Sequence, residues 1–222
     1  MKITRVALLI LLCLLGFTAC VSAHQLRLIS GDQTVEIKRP EISQAFYAAL
    51  EGNPHLYQID ADQEFKLYLN LLVPDLPRID KDIIATVSRV DAQGREEQLF
   101  VLDGERQHWE KYFEPFAGDR YFKGPERTEN VSAGLYRIQV TSADNRGKYV
   151  LAVGKEEKFS AAETVSMITA LPALKRDFFE KSPLTAFFNL VGLFMLLSLL
   201  LLIAAAAGLY WLIRFFQRRR EA

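Results

Sequence analysis

The densest chemical cluster in the chain is His108-Trp109-Glu110-Lys111-Tyr112-Phe113-Glu114-Pro115-Phe116, continuing to Tyr121-Phe122. It places six aromatic rings within 14 residues, mixed with charge. Exposed rings of this kind stack on sugar faces or anchor a protein partner, because Trp and Tyr offer large, rigid contact area. Trp109, Tyr112, Phe113, Phe116 and Tyr121 are therefore the candidate ligand- or partner-binding residues. The competing expectation is that these rings fill a core and cover one sheet edge. Pro115, Gly118 and Gly124 suggest that the segment is rich in loops.

The other chemistry-bearing residues are sparse. If the chain is cleaved after Ala23, His24 becomes its first residue. A terminal amine with its own imidazole can chelate Cu(II), so His24 is a candidate metal ligand, although the remaining histidines, His55 and His108, add no paired spacing. Asp60, Asp62 and Glu64 alternate in a way that calcium favours, but the glycine and final glutamate of an EF-hand loop are missing, so a solvated face is expected. Asn130-Val131-Ser132 is a glycosylation sequon. No Ser–His–acid trio, phosphate loop or His-Glu-x-x-His motif is present. Both cysteines, Cys13 and Cys20, lie near the N-terminus, so a processed chain has no thiol for catalysis, disulfide or zinc. The expectation is a protein that is not an enzyme and needs no cofactor.

These residues sit in a region that reads as strands and turns. Gln25-Leu26-Arg27-Leu28 and Thr34-Val35-Glu36-Ile37 alternate around Gly31-Asp32. Residues 64–73, 83–90 and 97–102 are further strand candidates, with Asp91-Ala92-Gln93-Gly94 as a turn. Leu135 to Val140 alternates cleanly. Asp144-Asn145-Arg146-Gly147 then turns the chain, and Tyr149 to Val153 is expected to close a hairpin. Residues 40–50 read as a short helix. Many short strands between turns predict a mainly β fold, an antiparallel β-sandwich over residues 24–158. The stretch from Ala133 to Gly154 resembles the closing hairpin of pre-peptidase-type jelly-roll domains. That resemblance implies a jelly-roll-like sandwich acting as an accessory or binding module rather than a catalyst.

The ends of the chain fix its expected topology. Lys2 and Arg5, an apolar run over residues 6–17 and the small residues of Val21-Ser22-Ala23 have the three-part layout of a secretory signal over residues 1–23. Phe17-Thr18-Ala19-Cys20 resembles a lipoprotein box, which leaves lipidation at Cys20 as an alternative to cleavage after Ala23. Residues 159–183 form a connector: Ser160-Ala161-Ala162-Glu163 is a capping box, Val165, Ile168 and Leu171 share a helical face, and Pro172 should interrupt the helix. Residues 175–181 read as an interfacial segment that brings Phe178 and Phe179 near lipid.

No charge occurs between Lys181 and Arg214, so residues 184–213 are expected to cross a membrane, with Tyr210 and Trp211 at one interface. Arg214, Arg218, Arg219 and Arg220 make residues 214–222 a basic tail on the cytoplasmic side, with the N-terminal domain outside. Arg214-Phe215-Phe216-Gln217-Arg218-Arg219 also resembles the diaromatic-plus-dibasic tails of p24 cargo receptors, which carry a β-sandwich outside and one membrane helix. This chain lacks their paired ectodomain cysteines and long coiled-coil stalk.

The net charge of the whole chain is zero, but residues 24–181 hold 21 Lys and Arg against 26 Asp and Glu. A mildly acidic outer domain is a poor candidate for nucleic acid, which needs a basic surface, so no nucleic-acid partner is expected. The sequence therefore predicts a membrane-tethered extracytoplasmic binding or adaptor protein of the cell envelope, engaging a protein partner or an extracellular ligand. Copper handling through His24 and p24-like cargo reception are the alternatives.

Overall fold

The computed structural model describes residues 24–158 and 160–220. The signal segment, with its cleavage and lipidation alternatives, lies outside the described residues. Strands β1 (Gln25–Leu28), β2 (Val35–Glu36), β3 (Gln44–Glu51), β4 (His55–Ala61), β5 (Phe65–Pro74), β6 (Ile84–Val90), β7 (Glu96–Asp103), β8 (Glu110–Glu114), β9 (Asp119–Val131), β10 (Gly134–Thr141) and β11 (Arg146–Val153) form the domain. They make two facing sheets, ordered β1-β3-β11-β5-β9-β8 and β2-β4-β10-β6-β7. The pairs β1–β3 and β2–β4 run parallel at one edge of each sheet, and the remaining pairs are antiparallel.

Alternation along the strands builds the core. Tyr136, Ile138 and Val140 of β10 point inward against Leu67, Leu69, Leu71 and Val73 of β5, all nearly devoid of solvent exposure. Strand β11 does not alternate: Val150 through Val153 are all buried. A strand buried on both faces reads as a continuous apolar run. The second cover is the connector after β11, which packs on the outer face of the six-stranded sheet.

Two expectations are corrected. Residues 40–50 are not helical; Gln44–Glu51 is a strand held between β1 and β11. Alanines give this segment helical propensity, but backbone pairing on both sides overrides it. The small Ala45 instead leaves room for the connector, which packs over it. Strands β10 and β11 do occupy the positions read as a hairpin. They do not pair, however, because β10 bonds β4 and β6 in one sheet and β11 bonds β3 and β5 in the other. The turn at Asn145 is an arch between sheets, and β1 and β2 are divided in the same way.

Past the sandwich come α1 (Ala161–Ala173), a π-helical turn (Leu174–Phe178), a 3-10 turn (Pro183–Phe187) and α2 (Leu190–Arg220). Ser160 caps α1 by accepting from the Glu163 amide at 3.2 Å. The Glu163 carboxylate does not reach back; it is held by both terminal nitrogens of Arg27, at 2.8 and 2.9 Å. Pro172 lies inside α1, and the coil widens into the π turn two residues later. Proline removes one helical donor, and the chain responds by changing its winding rather than stopping. Helix α2 is long and apolar enough to cross a membrane, and little of it is buried against the rest of the chain.

Candidate functional site

The aromatic residues singled out by sequence divide into structural and surface groups. Trp109 is half-buried against the sandwich core and donates from its indole nitrogen to the Gly104 carbonyl at 2.8 Å. It is wedged between two glycines: a methyl group built on Gly124 would come within 2.5–2.7 Å of its ring, and one on Gly104 within 2.9 Å. Tyr121 is buried, and its hydroxyl shares a 2.9 Å hydrogen bond with that of Tyr47. Phe116 packs on the second apolar cluster, beneath the connector. Only Tyr112 and Phe113, 42% and 54% exposed, present large open ring surface. They lie on β8, which is an edge strand rather than a loop.

Tyr112 borders a cavity of about 170 Å³ on the outer face of the six-stranded sheet. Tyr47, Tyr68, Tyr121, Asn70 and Lys123 line it, with Leu72, Val150 and Ala152 among its apolar members. The Tyr112 and Tyr121 rings lie 6.3 Å apart, tilted. Tyr68 donates to Glu126 at 2.8 Å, and Lys155 sits 4.1 Å over its ring. Burial raises the phenols of Tyr47, Tyr68 and Tyr121 above their ordinary value, so all three remain neutral hydrogen-bonding groups. Asn70 has a structural duty: its amide donates to the Gly124 and Pro125 carbonyls, at 3.3 and 3.1 Å, where β9 bulges and Pro125 supplies no N–H. The cavity therefore offers ring faces and neutral hydroxyls.

Below the cavity lies a charged joint that sequence reasoning missed. Asp119, at the start of β9, is fully buried and accepts from Lys175 of the π turn at 2.5 Å and from Lys181 at 3.0 Å. Lys175 also donates to the Ala117 carbonyl at 2.6 Å, and Asn189 donates to that same carbonyl at 2.8 Å. The Asn189 side-chain oxygen in turn accepts from the Gly192 amide, in the first turn of α2, at 3.1 Å. One β8–β9 turn thus binds both the connector and the apolar helix. Glu114 completes the turn, accepting from the Phe116 and Ala117 amides at 2.7 Å each. Burial pushes its carboxyl above the ordinary value, against the lowering effect of those amides.

Phe178 and Phe179, expected near lipid, are instead buried edge-to-face against Tyr47 and Tyr121. Lys175 is buried with them. The π turn directs these three residues at the sheet, which a plain helical reading of residues 175–181 does not anticipate.

The histidines occupy separate surroundings. His24 lines the cavity with Nδ1 2.5 Å from the Ser43 hydroxyl, His55 is buried against the Tyr149 hydroxyl at 2.8 Å, and His108 is exposed before β8. Burial lowers the His55 pKa. Asp60, Asp62 and Glu64 are exposed around the β4–β5 turn. Among the described residues, no three such ligands gather into a metal-binding group. Asn130, of the glycosylation sequon, is exposed on strand β9. Arg214 reaches the Tyr210 hydroxyl at 3.1 Å, and Arg218 and Arg219 are exposed on the same helix, which also contains Arg220.

No protein-family model and no curated protein matches the chain. Among solved structures, it is similar to the pre-peptidase C-terminal domain of collagenase from Bacillus anthracis, at 14% identity and a TM-score of 0.34. The alignment covers 55% of this chain and 96% of that one. The neighbour is of the type that residues 133–154 resemble.

Proposed function

We propose that the protein is a membrane-tethered binding module of the cell envelope, acting by recognition rather than catalysis. Its sandwich lies outside the cytoplasm, α2 crosses the membrane, and the arginines from Arg214 onward stay on the cytoplasmic side. The positive-inside tendency and the signal-like N-terminus support that orientation. The observation that carries the binding role is the placement of Tyr112 and Phe113. Two exposed rings stand on the free edge strand β8, one beside the cavity, and the turn that follows this strand is fastened to the membrane helix. A partner held there is held at a fixed height above the bilayer. Edge strands with large side chains suit a polypeptide partner, whose backbone can extend the sheet while its side chains meet the rings.

Co-purification of the full-length protein from its native membrane in mild detergent tests this. A stoichiometric protein partner is expected with the wild type and is lost with Tyr112→Ser/Phe113→Ser, while the variant keeps the wild-type melting temperature. Retention of the same partner by the folded variant refutes the assignment. Trp109 is unsuited to this test because its replacement would empty part of the core.

A further inference from the structure

The helix that crosses the membrane also fixes how deep the sandwich sits. A hydrocarbon layer of about 30 Å takes roughly 20 helical residues at 1.5 Å each. Tyr210 and Trp211 are exposed and lie four and three residues before Arg214, which places them at the inner interface. Counting back from Trp211 brings the outer boundary to Val191. That residue is not free for lipid: it is 2% exposed and packs with Leu174, Phe179 and Ala186 under the sheet, with Met195 half-buried one turn deeper. The lower end of the outer domain therefore reaches the same depth as the lipid boundary.

At that depth the 3-10 turn Pro183–Phe187 presents an apolar surface. Leu184, Phe187 and Phe188 are 66%, 45% and 84% exposed, and no charged residue lies between Lys181 and Arg214. Their position relative to α2 is set by close contact. A methyl group built on Gly192 would overlap the Phe187 carbonyl, and Asn189 ties the two helical turns together through the Thr185 and Ala186 carbonyls at 3.4 and 3.1 Å. Left in water, these three large apolar side chains would forgo the burial that the adjacent bilayer offers.

We propose that Leu184, Phe187 and Phe188 form a lipid-seated collar, inserting into the outer leaflet beside α2. The sandwich then rests on the bilayer instead of swinging from a tether. This rests on the reading of α2 as a membrane span. The collar's occupant is the acyl–headgroup boundary of the bilayer itself, since the surface is continuous with the membrane helix and carries no charge.

The test uses the full chain with Cys13 and Cys20 replaced by Ser, reconstituted in phosphatidylcholine nanodiscs. Single spin labels replace Leu184, Phe187, Phe188, Leu202 or Leu99, and collision rates with oxygen and with a nickel chelate are compared. Leu202, mid-helix, reports the span; Leu99, exposed on β7, reports water. The expected result is oxygen favoured over nickel at 184, 187 and 188, severalfold above the ratio at 99 and below that at 202. Nickel accessibility at 184, 187 and 188 equal to that at 99, with 202 still shielded, overturns the collar and leaves the span intact. Nickel accessibility at 202 overturns the span and the collar with it.

Discussion

Asp119→Asn should unfasten the joint while leaving the sandwich folded. The carboxylate has no solvent exposure and answers two ammonium groups, of which Lys175 has a side chain only 2% exposed. Removing the negative charge strands Lys175 beside the Ala117 carbonyl at 2.6 Å and the Phe179 ring at 5.7 Å. Breaking a buried pair on one side costs about 3–5 kcal/mol. Lys181, 39% exposed, can turn back to water, which favours the lower end of that range. About 3 kcal/mol corresponds to roughly a hundredfold rise in the local opening equilibrium. Hydrogen exchange of the full-length chain in detergent reads this directly, since amides that exchange through local opening report its free energy. Amides of residues 174–189 should exchange about a hundredfold faster, while those of β4 and β10, in the opposite sheet, keep their protection. Lys175→Met should do less harm, because Asp119 keeps Lys181. The Asp119→Asn/Lys175→Met pair should recover most of the loss, as an uncharged replacement of a buried pair often does. Unchanged exchange over residues 174–189, or equal loss in β4 and β10, would refute the reasoning.

Other substitutions probe separate features. Gly124→Ala forces a methyl group into the Trp109 ring and should cost about 1–3 kcal/mol of overpacking, read as a lower thermal midpoint. The raised Glu114 pKa means the folded state holds its proton more tightly; that stabilisation is present below about pH 4.5 and is lost as pH climbs through the raised value. The thermal midpoint of wild type relative to Glu114→Gln should therefore fall over that window, and parallel curves would exclude the effect. Glu163 has the opposite sign, because Arg27 holds its carboxyl below the ordinary value, and its contribution is lost as pH falls. Glu163→Gln should lower stability by up to about 1 kcal/mol at neutral pH and show no difference in acid, by urea titration. Tyr112→Ser/Phe113→Ser should stay within about 0.5 kcal/mol of wild type in the same titration, since neither ring is buried.

Strands with one buried face were legible because alternation survives local noise: β6 and β10 fall within two residues of their expected bounds. Strand β4 carried the same signal, with His55, Tyr57 and Ile59 inward, but its polar ends concealed it. Strand β9 was hidden by Gly124, Pro125 and a run of charges, which local reasoning reads as loop. Pairing was not legible at all. A turn such as 144–147 looks alike whether it closes a hairpin or arches between sheets, and only the partners β3 and β5 decide. The continuous apolar run of β11 reflects burial on both faces, and the connector supplies the second cover, which a hairpin reading of residues 149–153 does not anticipate. The joint could not be read, because Asp119 and Lys175 are 56 residues apart and each looks like a surface charge. Trp109 drew notice as a binding ring because nothing local reveals that Gly104 and Gly124 make room for it.

Photocross-linking in the native membrane bears most directly on the binding role of β8. A photoreactive residue replaces Tyr112 in one full-length protein and Leu99, exposed on the opposite sheet, in another. A discrete protein adduct formed from position 112 and absent from position 99 is the expected result. Adducts of equal yield from both positions, or none from position 112, would contradict a partner site on β8.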